Sequence, residues 1–334
     1  MTYSTAPAEF RYVELATVER NGFDESRHFG SLVALAADGS VRARLGAPEQ
    51  VVLPRSSVKP IQALASVLAG APLAGKSLAI AAGSHTGQDE HVALVREILN
   101  ASGLTEEELG CPPDMPEDAE TRRRLIREGV GPQRVRMNCS GKHSAMLAAC
   151  VASRWPTDTY LDPTHPLQQL ISTTLAERAG EPIGHVAVDG CGAPLLGVSL
   201  IGLARAIRSL VMDAPGTPGR AVVDAMREFP FYVAGAGHVN TVLMETVPGV
   251  VCKGGAEGVI VAASASGCAV AAKVIDGSPR ATTAIVLAAL QALGENTDGA
   301  AALRQVPVLG GGVPVGAIRA STLIADAISA GTNT

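Results

Sequence analysis

The sequence predicts an α/β protein of the α+β type, in which both chain ends build one central antiparallel sheet and the middle forms a mainly helical lobe. Strand patterns lie near both ends of the chain, and helical patterns dominate between them. The late strands follow one another too closely for crossover helices, so a doubly wound parallel sheet fits less well. We expect one domain over 1–334, with its sheet region at about 11–82 and 231–320 and its helical region at about 88–230.

Hydrophobic patterning predicts the elements in order. Alternation of apolar and polar residues indicates half-buried strands, and apolar residues at a spacing of three or four indicate helices. Pro60 is tolerated because it lies in the first turn of its helix. Up to residue 100 we predict strand 11–20, hairpin 29–45, helix 56–68, strand 77–82 and helix 89–100. Beyond it we predict helices 118–128, 141–154, 165–179, 194–212 and 281–293, and strands 185–189, 250–253, 258–262, 268–275 and 313–319.

The composition excludes several classes of protein. Hydrophobic residues make up 47% and charged residues 18% of the 334 positions, which excludes a disordered chain. A net charge of −5 without a long basic run argues against nucleic acid and against an anionic membrane surface as partners. We recognise no signal peptide and no stretch long enough to span a bilayer. A cytoplasmic location is therefore expected, with the six cysteines reduced.

Lysine is scarce in this sequence. Of the 27 lysine and arginine residues only five are lysines, namely Lys59, Lys76, Lys142, Lys253 and Lys273. Three of these five lie beside serine, cysteine or glycine-rich turns. A lysine amine can be neutral for part of a reaction, whereas arginine stays charged at physiological pH. The three lysines are therefore candidates for chemistry.

Ser56 and Lys59 form a Ser-x-x-Lys motif at the expected start of a helix. Residues three apart share one helix face, so the Lys59 amine can approach the Ser56 hydroxyl. A serine hydroxyl needs a base to become a nucleophile, and lysine serves when burial or a neighbouring cation lowers its pKa. The ordinary alternative is a capping serine and a solvated lysine, because the motif is common by chance.

Two further positions lie next to predicted strand ends. Ser84 follows an apolar segment in a turn with His85, where a residue is well placed for a site but also commonly caps a helix or a turn. Lys253 precedes the glycine-rich turn Gly254-Gly255. Its amine is either solvated or faces an adjacent strand that bears a site.

The segment Asn138–His143 places a thiol, an amine and an imidazole within one turn at a helix start. A helix N-terminus lowers the pKa of a thiol, so Cys139 as nucleophile with His143 as base is one reading. Metal binding by Cys139 with Lys142 or His143 is the other, although ordinary zinc sites use Cys, His or carboxylate ligands.

Asp189 and Cys191 lie in a second glycine-flanked turn. Asp189 could receive a substrate ammonium, and Cys191 could join Cys139 in a soft metal site. The ordinary alternative is an Asp-Gly turn and a small buried thiol.

Five ordered motifs together resemble those of the rhizobial-type bacterial L-asparaginase II family, which differs from the threonine-nucleophile asparaginases. The resemblance runs from about Val13 to Arg319 and implies the fold of serine β-lactamases, penicillin-binding proteins and glutaminases. That fold agrees with a sheet built from both chain ends. The motifs are Arg55-Ser56-Ser57-Val58-Lys59, Ser84-His85, Asn138-Cys139-Ser140-Gly141-Lys142-His143, Asp189-Gly190-Cys191-Gly192 and Lys253-Gly254-Gly255-Ala256-Glu257-Gly258.

The resemblance implies two Ser-Lys pairs. Ser56 would be the nucleophile with Lys59 as its base, and Ser84 would pair with Lys253 and relay protons. We therefore expect hydrolysis of the side-chain amide of L-asparagine to L-aspartate and ammonia through an acyl-enzyme. The family also suggests a homodimer.

The resemblance further implies a zinc ion and a set of substrate contacts. A lysine ligand, improbable from spacing alone, becomes reasonable because a metal ion stabilises the neutral amine. The implied zinc ligands are Cys139, Lys142 and Cys191. The residues implied to hold substrate are Arg55 toward its α-carboxylate, Asp189 toward its α-ammonium, and His143.

Two positions depart from the family pattern, and several functions stay open. Ala236 and His238 stand where family members more often have Thr and Arg, so the substrate preference can differ if their loop lines the pocket. Alternative substrates are L-glutamine or a β-lactam-like acyl donor, although Lys253 is followed by Gly-Gly and not by Thr-Gly. A zinc- or amino-acid-binding protein without turnover is the alternative from a different class.

Overall fold

The chain folds around an antiparallel sheet, as shown by a computed structural model that describes residues 12–331. Its strands in chain order are β1 (Val13–Arg20), β2 (Phe23–Leu35), β3 (Val41–Leu45), β4 (Val51–Val52), β5 (His185–Val188), β6 (Pro194–Ser199), β7 (Val251–Gly255), β8 (Val259–Ala263), β9 (Ala269–Val274), β10 (Gln305–Gly310) and β11 (Val313–Ala320). Eight of them form the main sheet in the order β10-β11-β1-β2-β9-β8-β7, with β3 also paired to β2. Strands β4, β6 and β5 form a smaller sheet.

Strands from both ends of the chain meet at β2. The long strand β2 pairs with β9, where Leu32 lies opposite Ala272, and β1 pairs with β11, where Thr17 lies opposite Arg319. All pairings between the strands named above are antiparallel. The predicted α+β class and the sheet built from both chain ends are therefore confirmed.

Helices cover the sheet and build the lobe beside it. Every residue of β8 is buried, and because successive side chains point to opposite faces, both faces of the sheet must be covered there. Helices α7 and α11 both pack against β8 and β9, whereas α1, α2 and α3 pack against α5, and α6 packs on α1 and α7. The helices are α1 (Lys59–Leu68), α2 (Lys76–Ala81), α3 (Asp89–Ala101), α4 (Ala119–Arg127), α5 (Ser140–Ser153), α6 (Pro166–Ala179), α7 (Leu200–Met212), α8 (Pro218–Glu228), α9 (Pro230–Val233), α10 (Val239–Thr246), α11 (Thr282–Ala292) and α12 (Leu323–Ala330).

The prediction of a strand at 77–82 is wrong, because this segment forms α2 and the turn after it. Residues 78–82 are all buried. A short apolar run that is buried on every side has the same hydrophobic pattern in a helix as in a central strand. Alanine at three of these positions favours the helix.

The predicted helix 194–212 begins later than expected. Residues Pro194–Ser199 form β6, which pairs with both β4 and β5. Ser199 then caps α7, since its hydroxyl oxygen accepts a hydrogen bond from the backbone N–H of Gly202. A continuous apolar run extends across both elements, so the hydrophobic pattern does not mark where β6 ends and α7 begins.

The sheet also resumes later than the expected position near residue 231. Helices α8, α9 and α10 occupy most of 218–246, and the strands resume at Val251. Strand β10 and helix α12 were not predicted either. None of the helices within 12–331 has the length and apolar character that crossing a membrane would need.

Helix α5 passes through the centre of the helical lobe. Its residues from Ser140 to Cys150 are all buried, and it packs against α1, α2 and α3. Gly141 permits the contact with α2, because a Cβ atom at this position would lie 2.6 Å from the backbone oxygen of Ile80. The start of α5, where two of the three candidate metal ligands lie, is therefore fixed by tight packing.

We expect Gly141→Ala to lower the free energy of unfolding by roughly 1–3 kcal/mol, since the added methyl group forces α2 and α5 apart. Gly131→Ala is the matched control, because a Cβ atom there would meet nothing within 4 Å. Urea unfolding of the parent and both variants measures the difference. Equal stabilities of the two variants would contradict the close packing of α2 on α5.

Candidate active site

Ser56 lies in the 3-10 turn Arg55–Val58 that leads directly into α1. Ser57 closes this turn, since its backbone N–H and its hydroxyl both donate to the backbone oxygen of Pro54, at 3.2 and 2.7 Å. Arg55 has φ +53°, a left-handed conformation that is unusual for a residue other than glycine. Strained backbone of this kind is common where a chain presents a functional group.

Ser84 accepts hydrogen bonds from two buried lysines. Lys59 Nζ lies 2.8 Å and Lys253 Nζ 2.9 Å from Ser84 Oγ. Both lysine residues are only 1% exposed, and they are the largest fully buried side chains of the described chain. Ser56, Ser84 and Lys253 line one cavity of about 320 Å³. The structure thus brings all four residues of the two predicted Ser-Lys pairs into one region.

The hydrogen bonds differ from the predicted pairing in one respect. Ser84 and Lys253 are bonded as expected, but the Lys59 amine also bonds Ser84. Within residues 12–331 no hydrogen bond joins Lys59 to the hydroxyl of Ser56. Lys59, Ser84 and Lys253 therefore form one hydrogen-bonded group that is centred on Ser84, and Ser56 lines the same cavity without a bond to Lys59.

Burial and a neighbouring amine change the acidity of Lys253. Burial, together with the charge of Lys59, lowers the pKa of Lys253 to about 7. Lys253 Nζ also donates to the backbone oxygen of Gly254 at 2.8 Å, which holds the amine beside Ser84. An amine with a pKa near neutrality can take up and release a proton at physiological pH.

Backbone contacts hold Ser84 between the two amines. Its N–H donates to Val233 O at 2.7 Å, and the N–H of His85 donates to Asn138 O at 3.1 Å. His85 is fully buried, and its Nε2 lies 2.9 Å from the hydroxyl of Ser140 at the start of α5. His85, which the sequence did not assign a role, therefore ties the Ser84 turn to the helix with the candidate metal ligands.

Cys139, Lys142 and Cys191 converge as the resemblance implied. Lys142 Nζ donates to Cys191 Sγ at 3.0 Å, and all three side chains are buried. A hydrogen bond from Cys191, with the charges of Lys59 and Lys142, holds the pKa of Cys139 well below its usual value in spite of burial. Burial alone would lower the pKa of Lys142, but the two sulfur atoms outweigh it and raise that pKa.

This donor set fits a soft divalent cation. Tetrahedral zinc with bonds of about 2.3 Å to sulfur and about 2.0 Å to nitrogen separates the two donors by roughly 3.5 Å. The pair Lys142–Cys191 at 3.0 Å would therefore have to open by about half an ångström and lose a proton from the amine. No group of three or more His, Cys, Asp or Glu side chains with metal-binding geometry occurs in the described part of the chain. Lys142 would thus be required as the third protein ligand.

Arg55 and Asp189, two of the implied substrate contacts, bind each other. Arg55 Nε lies 2.7 Å from Asp189 Oδ1. Burial would raise the pKa of Asp189, but the charge of Lys142 and the hydrogen bond from Arg55 outweigh it and lower that pKa. Arg55 lines a neighbouring cavity of about 370 Å³ and not the one that Ser56 and Ser84 line. The pair engages Nε of Arg55 and Oδ1 of Asp189, so the terminal guanidinium nitrogens and Oδ2 lie outside it.

His143 is buried, and one of its ring nitrogens is unpaired within residues 12–331. Tyr160 accepts a hydrogen bond from the N–H of Gly110 at 2.8 Å, and its hydroxyl lies 2.6 Å from His143 Nδ1. This contact occupies Nδ1, so Nε2 is the ring nitrogen left over. Burial and the charges of Lys142 and Lys59 keep the pKa of His143 well below its usual value. Its Nε2 has no partner within residues 12–331, as expected of a nitrogen that is available to a ligand.

Several residues of the Ser56–Ser84 cavity were not predicted. Sequence motifs identified Ser56, Ser84 and Lys253, and Asn138 opens the recognised Asn138–His143 motif, but the rest of the cavity wall comes from segments without a recognised motif. Within those segments, the sequence analysis had noted only His238, as a departure from the family pattern. The additional polar side chains that line the cavity are Glu117, Asn138, His238, Asn240 and Thr282.

Comparisons with known proteins agree with the motifs. A family described as L-asparaginase II matches residues 16–320. A putative β-lactamase from Bacteroides dorei DSM 17855 has 14% identity and a TM-score of 0.42, over 73% of this chain and 85% of that one. A β-lactamase from Mycobacterium bovis has 14% identity and a TM-score of 0.45, over 79% of this chain and 94% of that one. No curated protein matches. Since the family match spans most of its length, the chain belongs to the L-asparaginase II family.

Proposed function

We propose that this chain hydrolyses the side-chain amide of L-asparagine to L-aspartate and ammonia, with Ser56 as nucleophile. Membership of the L-asparaginase II family supports an amidohydrolase of the asparaginase type. The observation that supports the serine-lysine mechanism is the position of Ser84 Oγ between two buried amines, in the cavity that Ser56 also lines. Such an arrangement supplies a nucleophile, a base and a proton path in one place.

The hydrogen bonds around Ser84 define a proton path. A serine hydroxyl has one proton and two lone pairs. Lys59 can pass a proton to Ser84 while Ser84 passes its own to neutral Lys253, which leaves Lys59 neutral. Lys59 lies one turn from Ser56 along the chain, so a rotation of its side chain would let it accept the Ser56 proton. The net result is transfer of the Ser56 proton to the amine whose pKa lies near 7.

The reaction then proceeds through an ester. Ser56 Oγ attacks the carboxamide carbon, the carbon–nitrogen bond breaks, and the nitrogen leaves as ammonia with a proton from the Ser84 hydroxyl. The ammonium of Lys253 replaces that proton. Water subsequently attacks the ester, its proton follows the same path, and L-aspartate leaves with Ser56 restored.

The backbone near Ser56 can stabilise the oxyanion. The N–H of Ser56 lies at the start of the helical segment, where backbone donors have no partner within the helix. Gly255 of β7 faces this donor, and a Cβ atom there would lie 3.3 Å from Ser56 N. The same Cβ atom would lie 2.5 Å from the backbone oxygen of Pro54, so glycine at this position permits the close packing of β7 on the turn that presents Ser56. One such donor typically contributes about 10²–10³ in rate.

We also propose that Cys139, Lys142 and Cys191 hold a zinc ion. Bound there, the metal would supply a fixed positive charge that orders the substrate-binding groups. Lys142 would then stay neutral, and Asp189, whose Oδ2 lies 3.8 Å from Cys191 Sγ, would remain ionised beside it. A homodimer and a cytoplasmic location are further proposals that rest on the family resemblance and the sequence.

Ser56→Ala should lower ammonia release from L-asparagine by at least about 10³-fold, because the nucleophile is lost. Ser66→Ala is the matched control, since Ser66 is a buried serine of α1, the helix that follows Ser56, and its hydroxyl bonds the backbone oxygen of Gln62. Ammonia release is measured for both variants with L-asparagine, L-glutamine and a β-lactam amide. Persistence of the parent rate in Ser56→Ala would contradict the serine mechanism. A parent that releases no ammonia from any of them would favour the binding protein without turnover.

Protein purified without a histidine tag should contain about one equivalent of zinc by elemental analysis. Cys139→Ser and Cys191→Ser should each lower the zinc content to less than about a tenth of an equivalent, since two protein ligands hold the ion poorly. Cys150→Ala is the control, because this buried thiol of α5 is not among the proposed ligands. Less than about a tenth of an equivalent in the parent, unrestored by added zinc, would rule out the proposed site.

A further inference from the structure

His238 has one ring nitrogen engaged and the other free. It precedes α10, and its Nδ1 accepts a hydrogen bond from the backbone N–H of Asn240 at 3.1 Å. A nitrogen that accepts from a backbone N–H bears no proton itself, so the proton of the neutral ring is on Nε2. Burial and the charge of Lys253 lower the pKa of His238 to about 4, and the ring is therefore neutral at physiological pH. No residue in the described range 12–331 accepts a hydrogen bond from its Nε2–H.

This imidazole lines the same cavity of about 320 Å³ as Ser56, Ser84 and Lys253. The loop of residues 235–238, which precedes α10, packs closely against the segment that follows Ser84. Gly235 has φ +134°, and a Cβ atom there would lie 2.1 Å from Thr86 Oγ1. The position of the His238 ring relative to the serines is thus set on one side by α10 and on the other by this loop contact.

The buried amines near His238 favour a negatively charged ligand atom, while Glu117, which accepts a hydrogen bond from Asn138, is the carboxylate that lines the same cavity. Two amines bond Ser84 on this side of the cavity, and Lys253 is close enough for its charge to lower the pKa of His238. The N–H of a neutral imidazole is a directional donor that requires no proton transfer to bind an oxygen. A carboxylate oxygen accepts such a bond more strongly than a neutral oxygen does.

We propose that the Nε2–H of His238 donates to a carboxylate oxygen of the amino-acid amide and is a specificity-determining contact of this site. The inference deepens the proposed function, on which it rests. It assigns substrate recognition to a cavity residue, while Arg55 is bound to Asp189 and lies along a different cavity. A substrate whose carboxylate is one methylene farther from the scissile amide, such as L-glutamine, would place that oxygen differently relative to His238.

Two substitutions of His238 distinguish its role as a donor to substrate from its role as the cap of α10. In His238→Asn the amide oxygen takes the place of Nδ1 as cap for Asn240, but the chain is too short to place a donor at Nε2. In His238→Gln the amide nitrogen takes the place of Nε2, but the cap is lost. The kcat and KM values for L-asparagine and L-glutamine are measured for the parent and both variants, together with their thermal unfolding.

We expect His238→Asn to lower kcat/KM for the preferred amide by about 10–100-fold, mainly through KM, and to change the ratio between the two amides while Tm stays at the parent value. We expect His238→Gln to recover at least several-fold of that loss although its Tm falls. Equal losses of kcat/KM in both variants, or a loss confined to His238→Gln, would overturn the inference, because His238 would then act as a helix cap alone. A parent that releases no ammonia from either amide would overturn the proposed function and this inference together.

Discussion

One hydroxyl group shared by two buried amines is the constraint on which the site depends. Lys59 and Lys253 both bond Ser84 Oγ, which places the two nitrogen atoms roughly 4–5 Å apart. Two positive charges at that distance repel each other by about 3–4 kcal/mol at an effective dielectric constant near 20. Because neither amine is solvated, one of them must readily give up its proton. A base at neutral pH follows from this geometry without any unusual residue.

The fold is what brings these three side chains together. Lys59 comes from the first turn of α1, Ser84 from the turn between α2 and α3, and Lys253 from β7. Strand β7 is the last strand at one side of the main sheet. The backbone of Gly254 in this strand donates a hydrogen bond to Asn240 Oδ1 and accepts one from Lys253 Nζ. A sheet assembled from both chain ends thus brings Lys253, from the C-terminal part of the chain, next to Ser84 from the N-terminal part. The scarcity of lysine in the sequence agrees with this role, because arginine cannot become neutral there.

The fold class was predictable from the sequence where patterns were unambiguous. Alternation in β1, near one chain end, and helical spacing in α3, in the helical lobe, are local signals of this kind. Residues 78–82 and 194–199 were assigned to the wrong element because continuous apolar runs fit either structure when all sides are buried. Helix α10 was missed because its start depends on a histidine cap, which is not among the usual capping residues.

The site was predictable only in part, for a physical reason. Ser-x-x-Lys spacing indicates that Ser56 and Lys59 can meet, but it cannot show that the Lys59 amine turns toward Ser84, since that depends on packing between distant segments. Likewise, the sequence does not show that Arg55 pairs with Asp189, or that Nε2 of the buried His143 has no partner within residues 12–331. These contacts arise from tertiary structure alone.

The protonation state of Lys253 tests the account most directly. Because the chain has only five lysines, a protein labelled with ¹⁵N at lysine gives a side-chain spectrum simple enough to assign with Lys253→Arg. Since burial and Lys59 lower the pKa of Lys253 to about 7, its Nζ should change from ammonium to neutral amine as the pH rises through about 7. A Lys253 signal that remains an ammonium up to pH of about 9 would contradict the account.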